Sequence, residues 1–188
     1  IGNTDRFFVI YDSTDNVTIL RTFSASGTSV SSIDRVVISK EAFHTYNFIL
    51  KNDHIVIVMG NGQTDTGRIK SYSMASDGTL GVTHADSLAI SNCGWPDITD
   101  VEDNYFAIGY RSSTDLRTDL YTIDGAGDLT YVRNSSTAET ITSNIKLTYN
   151  PLNRWLNFMW FRYYNASYQY TFINNRVRVS DTYTFSIT

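Results

Sequence analysis

Apolar residues form four nearly continuous runs along the chain, each about six residues long and rich in β-branched and aromatic side chains. The runs occupy residues 6–11, 54–59, 105–110 and 155–160. Runs of this length and composition predict strands that are buried on both faces, rather than amphipathic helices. We label this element strand B of each unit.

A second run follows each strand B and alternates polar and apolar residues, as a half-exposed strand should. Each of these runs, labelled strand C, is centred on an aromatic residue, and the four aromatics are spaced 49 residues apart: Phe23, Tyr72, Tyr121 and Tyr170. A fixed period of 20–50 residues indicates stacked copies of one supersecondary unit.

Glycine and asparagine pairs follow strand C and predict hairpins into a strand D, because these residues tolerate positive φ. They lie at 26–27, 77–78, 125–127 and 174–175. Strand D ends with a repeated dipeptide, Ile-Ser or Ile-Thr, at 38–39, 90–91, 141–142 and 187–188. A strand A precedes strand B at 46–50, 96–101 and 144–149. No capped run has the 3.6-residue period of a helix.

Four antiparallel strands in about 49 residues predict one blade of a β-propeller, so the fold class is all-β. We expect a single unit over 1–188, with blade 1 at about 1–39, blade 2 at about 40–91, blade 3 at about 92–142 and blade 4 at about 143–188. Blade 1 lacks its strand A, and an open end would leave unpaired edges and an exposed apolar face. We therefore expect a larger ring of about six to eight blades, completed by another stretch of the same protein or by a second copy.

Composition narrows the function classes. The chain has 188 residues and a formal net charge of −4, which argues against general nucleic-acid binding. No apolar run reaches the roughly 18 residues of a membrane span. Cys93 is the single cysteine, so no disulfide forms within the chain, and we expect a small, half-buried residue near a loop. Abundant Ser, Thr and Tyr with few Lys is typical of extracellular or virion-exposed β proteins.

Three segments of the third unit, at 94–98, 105–111 and 120–125, read Gly-Trp-Pro-Asp-Ile, Tyr-Phe-Ala-Ile-Gly-Tyr-Arg and Leu-Tyr-Thr-Ile-Asp-Gly. This text resembles a tandem β-propeller repeat of large archaeal and bacterial surface proteins and of their viruses. Blade 2 keeps 68–73 and 77–78 but lacks the Pro-Asp-Ile element, and blade 4 departs most. The resemblance implies extracellular display with adhesion or recognition, not a reaction.

The D–A and B–C loops of a propeller share one face, which is where a ligand is expected. A Thr-Asp pair recurs in three B–C loops, with carboxylates at Asp15, Asp65 and Asp115. The favoured interpretation is a turn in which Asp or Thr caps backbone N–H groups. The alternative is a ring of carboxylates that binds a cation or sugar hydroxyls. Residues 12–16 offer oxygen ligands for calcium but lack the EF-hand pattern, and no other cofactor is expected.

The same face should carry a set of aromatic and polar side chains, namely His44, Tyr46, Trp95, Arg111, Tyr163 and Tyr164. Aromatic rings stack on the apolar faces of sugars, while Asp, Asn and Arg bind the hydroxyls. In the alternative structural interpretation, Trp95 packs between blades beside Pro96, and the two tyrosines cover the last blade.

No catalytic constellation is identifiable, although glycosidases include propellers. Glycosidic cleavage needs paired carboxylates, or a tyrosine with its supporting acid, and the sequence pairs none. Sequons at Asn16, Asn134 and Asn165 are compatible with glycosylation. The first hypothesis is a non-enzymatic recognition or adhesion propeller on a cell or virion surface, with a glycan or protein receptor. The alternatives are a protein-interaction scaffold and a glycoside hydrolase or lyase.

Overall fold

The computed structural model describes residues 5–13, 17–39, 45–61, 66–113, 115–140, 144–160, 175–179 and 185–187. Over these residues the chain forms fifteen strands in four separate antiparallel sheets. This confirms the all-β class and the repeated sheet that the sequence predicts. Among the residues that the structure describes, there is no helix with the length and hydrophobicity that a membrane span requires.

The sheets are numbered 1 to 4, and within each one the strands are hydrogen-bonded in chain order. Sheet 1 contains β1 (Asp5–Asp12), β2 (Thr18–Ser26) and β3 (Ser29–Ser39). Sheet 2 contains β4 (Thr45–Lys51), β5 (His54–Asn61), β6 (Thr66–Ser73) and β7 (Asp86–Ser91). Sheet 3 contains β8 (Gly94–Asp100), β9 (Tyr105–Ser112), β10 (Asp115–Ile123) and β11 (Leu129–Thr140). Sheet 4 contains β12 (Ile145–Asn150), β13 (Trp155–Trp160), β14 (Asn175–Val179) and β15 (Phe185–Ile187).

Sheet 4 departs from the sequence prediction at its third strand. The turn predicted at residues 174–175 is wrong for Asn175, which begins β14 and pairs with Phe158 of β13. The Asn-Asn pair tolerates a turn, but the residues after it alternate charged and β-branched side chains, which favours a strand. The strand C predicted around Tyr170 lies outside the described residues.

The apolar runs of β5 and β9 are buried on both faces, as predicted. The same prediction is wrong for the runs in β1 and β13, where Phe7 and Met159 are 42% and 44% exposed. In β5, Ile55, Ile57 and Met59 join a buried cluster with side chains of sheet 1. Val56 and Val58 point the other way and join a cluster with sheet 3. Because successive strand residues face opposite sides, the continuous apolar run fills two interfaces at once, as its composition predicts.

The same arrangement links sheets 3 and 4. Ala107 belongs to a buried cluster with Leu147 and Phe158 of sheet 4. A Cβ at Gly109 would lie 3.1 Å from the Phe158 ring, so the glycine lets that ring approach the backbone closely. The four sheets therefore stack in sequence, each on the next.

The face of sheet 1 that turns away from sheet 2 is open. Phe7 and Val9 are 42% and 40% exposed, and Phe7 stacks on Phe23 at 5.1 Å between ring centroids. In strand alignment Phe7 and Val9 correspond to Ile55 and Ile57, both of which are fully buried against the preceding sheet. These positions on sheet 1 thus have the character of an interface.

Turn glycines of sheets 2 and 3 pack each of these sheets against the one before it. Gly78 and Gly127, 49 residues apart, have φ values of 89° and 92°. The carbonyl oxygen of Gly78 accepts a hydrogen bond from the Thr22 hydroxyl at 2.7 Å, and that of Gly127 accepts one from the Ser71 hydroxyl at 2.6 Å. The glycine turn, expected only to reverse the chain, also binds the preceding sheet.

Cys93 lies in the connection between sheets 2 and 3 and is fully buried, not half-buried as expected. Its sulfur would lie 2.7 Å from a Cβ placed on Gly67. A small side chain is needed here because the two sheets approach closely.

Candidate functional site

Trp95 lies at the end of sheet 3 where the connection from sheet 2 enters. The pairing of β8 with β9 shifts register between Gly94 and Asp97, and this bulge places Trp95 at a φ of 46°. A positive φ is uncommon for a bulky residue and marks a locally strained backbone. The side chain is half-buried.

Arg111 of β9 is the residue that contacts the Trp95 ring. It pairs with Gly94 across the strands, and its guanidinium carbon lies 4.1 Å from the centre of the Trp95 ring. A cation over an indole face at this distance is attracted by the ring quadrupole. The structure therefore brings together two of the predicted site residues as one stacked pair.

Pro96, and not Trp95, is the residue that inserts between sheets. It is buried, and a Cβ on Gly60 of sheet 2 would lie 2.3 Å from its ring. Its carbonyl oxygen accepts a hydrogen bond from the Asn47 side-chain amide at 2.9 Å. The proline anchors the bulge, which leaves Trp95 at the loop end.

Two other predicted site residues occupy separate places at the same end. Tyr46 is half-buried against the cluster between sheets 1 and 2, and burial, with a further contribution from the Asp12 charge, raises its pKa. Asp115 is exposed and pairs with Ser112 beside Ser113, whose φ is 58°. Ser113 thus has turn geometry, and the capping of backbone N–H groups by the Thr-Asp pair stays a prediction.

The remaining predicted site residues lie outside the described residues. They are His44, Asp15, Asp65, Tyr163 and Tyr164, together with the sequons at Asn16 and Asn165. The proposed ring of carboxylates is thus described only at Asp115. Asn134 is exposed, and its side-chain amide donates a hydrogen bond to the Tyr131 hydroxyl at 2.6 Å.

A polar cluster that sequence reasoning missed lies between sheets 2 and 3. Asp119 is 3% exposed. Its Oδ2 accepts hydrogen bonds from the Tyr110 hydroxyl at 2.9 Å and from the Tyr121 hydroxyl at 3.2 Å. Its Oδ1 accepts one from Arg117 Nε at 3.0 Å. A buried carboxylate with three donors, one of them cationic, is a satisfied charge.

Burial and then the Asp119 charge raise the pKa of both tyrosines, Tyr110 and Tyr121, well above the usual range. Both hydroxyls therefore stay protonated at physiological pH and remain hydrogen-bond donors to the carboxylate.

The 49-residue repeat contains one indication of this polar cluster. Residues 117, 119 and 121 share one face of β10, because side chains alternate along a strand. The equivalent position to Asp119, 49 residues earlier, is Lys70. A change from base to acid at one repeat position is visible in the sequence, but its partner Tyr110 comes from the neighbouring strand.

The described residues hold no group of three or more His, Cys, Asp or Glu side chains that could bind a metal ion. Within the suggested calcium segment, Asp12 accepts a hydrogen bond from the Thr18 hydroxyl at 2.7 Å. The other residues of that segment fall partly outside the described ranges.

The solved structures that are similar to this chain include the following two. A protein from Lactobacillus plantarum, a structural genomics target, aligns with a TM-score of 0.55 and 12% identity over 98% of this chain and 67% of its own. Kuenenia stuttgartiensis hydrazine synthase aligns with a TM-score of 0.50 and 8% identity over 79% of this chain and 48% of its own. These neighbours are β-rich and propeller-like, and at such identities the likeness shows the fold alone.

No protein-family model matches the sequence, and no curated protein is significantly similar to it. The comparisons therefore place the chain among propeller-like all-β proteins and go no further.

Proposed function

We propose that this chain is a non-enzymatic recognition propeller, displayed on a cell or virion surface, that binds a glycan or protein receptor through the loop end carrying Trp95. The supporting observation is the stacked pair of Trp95 and Arg111, 4.1 Å apart, on a strained bulge. A protein keeps a strained aromatic at a loop end when the surrounding structure enforces it, and such positions cluster at ligand sites.

Trp95 and Arg111 supply the contact types that receptor binding uses. Tryptophan and arginine are enriched at binding hot spots because each combines a large apolar surface with a polar group. The bulge is anchored by Pro96 against Gly60, so the indole is held in place before a ligand arrives. Such preorganisation reduces the entropic cost of association.

A glycan array probed with the wild type and with Trp95→Ala tests this proposal. We expect array binding that Trp95→Ala weakens at least about tenfold, which corresponds to about 1.4 kcal/mol. Trp155→Ala is the matched control, because Trp155 is also half-buried but begins β13 at the opposite end of its sheet. Equal binding by Trp95→Ala and the wild type would contradict the proposal, as would an equal loss in both variants.

The open face of sheet 1 supports a further part of the proposal, namely that the sheets belong to a larger ring. Phe7 and Val9 occupy the positions that are buried against the preceding sheet elsewhere in the stack. For the isolated chain the sheet available to cover them is sheet 4 of a second copy, packed head to tail.

Sedimentation of the isolated chain tests this association. We expect a mass of at least two copies, which Phe7→Lys reduces to one because it places a charge on the covered face. Val82→Lys is the control, because Val82 is 86% exposed in the loop after β6 and away from that face. A wild-type chain that stays monomeric at every concentration would contradict the head-to-tail association.

The glycoside hydrolase alternative would use a tyrosine with a supporting acid, and Tyr110 beside Asp119 has that composition. Tyr110 is only 1% exposed, however, so its hydroxyl is not open to a substrate. This favours recognition over cleavage. Hydrolysis of a panel of aryl glycosides by the wild type, abolished in Tyr110→Phe, would reverse that preference.

A further inference from the structure

A cleft of about 350 Å³ opens between β7 of sheet 2 and strands β9, β10 and β11 of sheet 3, and the Asp119 cluster forms its floor. It is separate from the Trp95–Arg111 pair and was not anticipated in the sequence. Its volume lies at the lower end of the range of about 300–1,000 Å³ for small-molecule sites. A single sugar ring or a group of similar size fits such a space.

The floor of the cleft presents fixed hydrogen-bonding groups. Asp119 accepts three hydrogen bonds, so the orientation of its carboxylate is fixed and its hydrogen-bonding capacity is largely satisfied. Arg117 uses only Nε in that contact, which leaves its terminal N–H groups as donors. The Arg117 side chain is 35% exposed, so those donors are accessible.

One wall of the cleft is an aromatic surface. Tyr131 is 45% exposed, and its ring stands at 71° to that of Tyr121, 5.6 Å between centroids. Its hydroxyl accepts the hydrogen bond from Asn134. The ring is therefore oriented from both ends, and an apolar ligand face can stack on it without a loss of side-chain entropy.

The net charge of the cleft floor indicates which class of ligand the cleft can bind. The Arg117 guanidinium and the Asp119 carboxylate form an ion pair at 3.0 Å, so the floor has no net charge. An anionic ligand would meet the buried carboxylate, and a cationic ligand would meet the guanidinium. A neutral ligand with several hydroxyls and one apolar face satisfies the Arg117 donors and the aromatic wall together.

We propose that this cleft binds a neutral monosaccharide unit, which stacks on Tyr131 and is hydrogen-bonded by Arg117 above the buried Asp119 cluster. This site stands on its own observations. It can therefore be present or absent whether or not Trp95 binds a receptor.

The test is NMR titration of the unglycosylated chain with methyl glycosides of glucose, galactose and mannose. Unglycosylated protein is used because a glycan on Asn134 would stand beside Tyr131. We expect millimolar binding to at least one glycoside, with shifts at Tyr110, Tyr121 and Tyr131. Tyr131→Ala should weaken this binding about tenfold or more, while Tyr131→Phe should keep it within about threefold because the stacking ring remains.

Two controls separate this site from general effects. Phe48→Ala removes an aromatic of equal exposure, 45%, from sheet 2, and should leave the affinity unchanged. Trp95→Ala should also leave it unchanged, which distinguishes the cleft from the loop-end site. The proposal would be overturned if none of the three glycosides shifts the cleft resonances, if Tyr131→Ala binds as well as the wild type, or if inorganic phosphate binds the cleft instead.

Discussion

The interfaces between sheets 1 and 2 and between sheets 2 and 3 are built on one repeat and differ in chemistry. At the first, Met59 of β5 and Lys70 of β6 face sheet 1, and the Lys70 ammonium donates a hydrogen bond to the Ile38 carbonyl at 2.5 Å. At the second, the corresponding strand positions hold Tyr110 and Asp119, whose side chains bond to each other. The same backbone thus supports an apolar junction in one place and a polar cleft in the other.

This difference shows that the contacts which stack the sheets are repeated from one interface to the next. The side chains that could bind a ligand are not repeated. Both interfaces keep the hydroxyl-to-glycine hydrogen bond and the close turn, which hold the sheets together. Both also keep an aspartate that accepts a backbone N–H of the next sheet, Asp34 from Leu80 and Asp86 from Leu129, each at 2.9 Å. The side chains that lie between these shared contacts differ from one interface to the other. The polar cluster of Asp119 lies among these differing side chains.

The turn glycines should give the largest effect. A Cβ at Gly127 would lie 2.5 Å from the His54 ring and 2.8 Å from the Cβ of Ala85. Neither neighbour can move aside easily, so Gly127→Ala should lower the free energy of unfolding by about 2–4 kcal/mol. Urea denaturation measures this change.

Two glycine controls sharpen the result. At Gly78 the near neighbour is the flexible end of Ile33, at 2.7 Å, so Gly78→Ala should cost less, about 1–2 kcal/mol. At Gly125 there is no heavy atom within 4 Å, and Gly125→Ala should be nearly neutral. Equal losses for all three variants would mean that the turns do not seat one sheet on another.

The polar cluster should give the next largest effect. Asp119→Ala leaves the buried Tyr110 and Tyr121 hydroxyls without their acceptor, so we expect a loss of about 2–3 kcal/mol. Lys70→Met at the first interface removes the ammonium that donates to the Ile38 carbonyl and keeps an apolar side chain, so it should cost less than Asp119→Ala, about 1 kcal/mol. Chemical denaturation of both variants tests the contrast, and a larger loss for Lys70→Met would reverse it.

The hydroxyl contacts with the turn glycines should contribute at both interfaces. Thr22→Val and Ser71→Ala each remove one hydrogen bond to a turn glycine, so each should cost at least about 1 kcal/mol. Ser71→Ala should cost more than Thr22→Val, because the Ser71 hydroxyl also accepts a hydrogen bond from the Asp86 N–H at 3.1 Å. Thermal unfolding compares them under one condition. A cost confined to one of the two would show that the repeat does not hold both interfaces in the same way.

The third interface, between sheets 3 and 4, should give the smallest effect. Asp97 accepts the Leu147 N–H at 2.7 Å, and burial raises its pKa above the ordinary value of 3.8, with the Leu147 hydrogen bond and Lys146 acting in the opposite direction. Between 3.8 and the raised pKa the folded state binds more protons than the unfolded state. Wild-type stability should therefore fall as pH rises through that window, relative to Asp97→Asn.

The difference between wild type and Asp97→Asn should be about 1 kcal/mol or less. Asparagine keeps an oxygen acceptor for the Leu147 N–H, so the hydrogen bond survives in the variant. Urea titrations at several pH values between 3 and 7 measure the difference. A wild type that gains stability over the variant as pH rises would show that ionisation of Asp97 is favoured by folding.

Local pattern was sufficient to predict most of the strands and their order, because in β5 Ile55 and Ile57 alternate with Val56 and Val58 in a run that is apolar on both faces. It was also sufficient to bring Trp95 and Arg111 to one end of a sheet. It failed at Asn175, where a strand begins in place of the predicted turn. The positive φ of Trp95 was not predictable, because it follows from a register shift that the proline anchors.

The Asp119 cluster was not predictable as a site for a different reason. Its acid and its second tyrosine lie on β10, but Tyr110 lies on β9, and the cleft exists only because β7 of the preceding sheet forms its far side. A cleft that is formed by two strands and a second sheet cannot be recognised from any single stretch of sequence. Likewise, the contact of Gly127 with His54 needs the spacing between sheets.

The most direct test of the stacked arrangement is a nuclear Overhauser measurement between the His54 ring and Gly127. A Cβ on Gly127 would lie 2.5 Å from both Cδ2 and Nε2 of His54, so a strong cross-peak between the His54 Hδ2 and a Gly127 Hα is expected. Its absence, with cross-peaks found only between strands of the same sheet, would contradict the stacking of successive sheets.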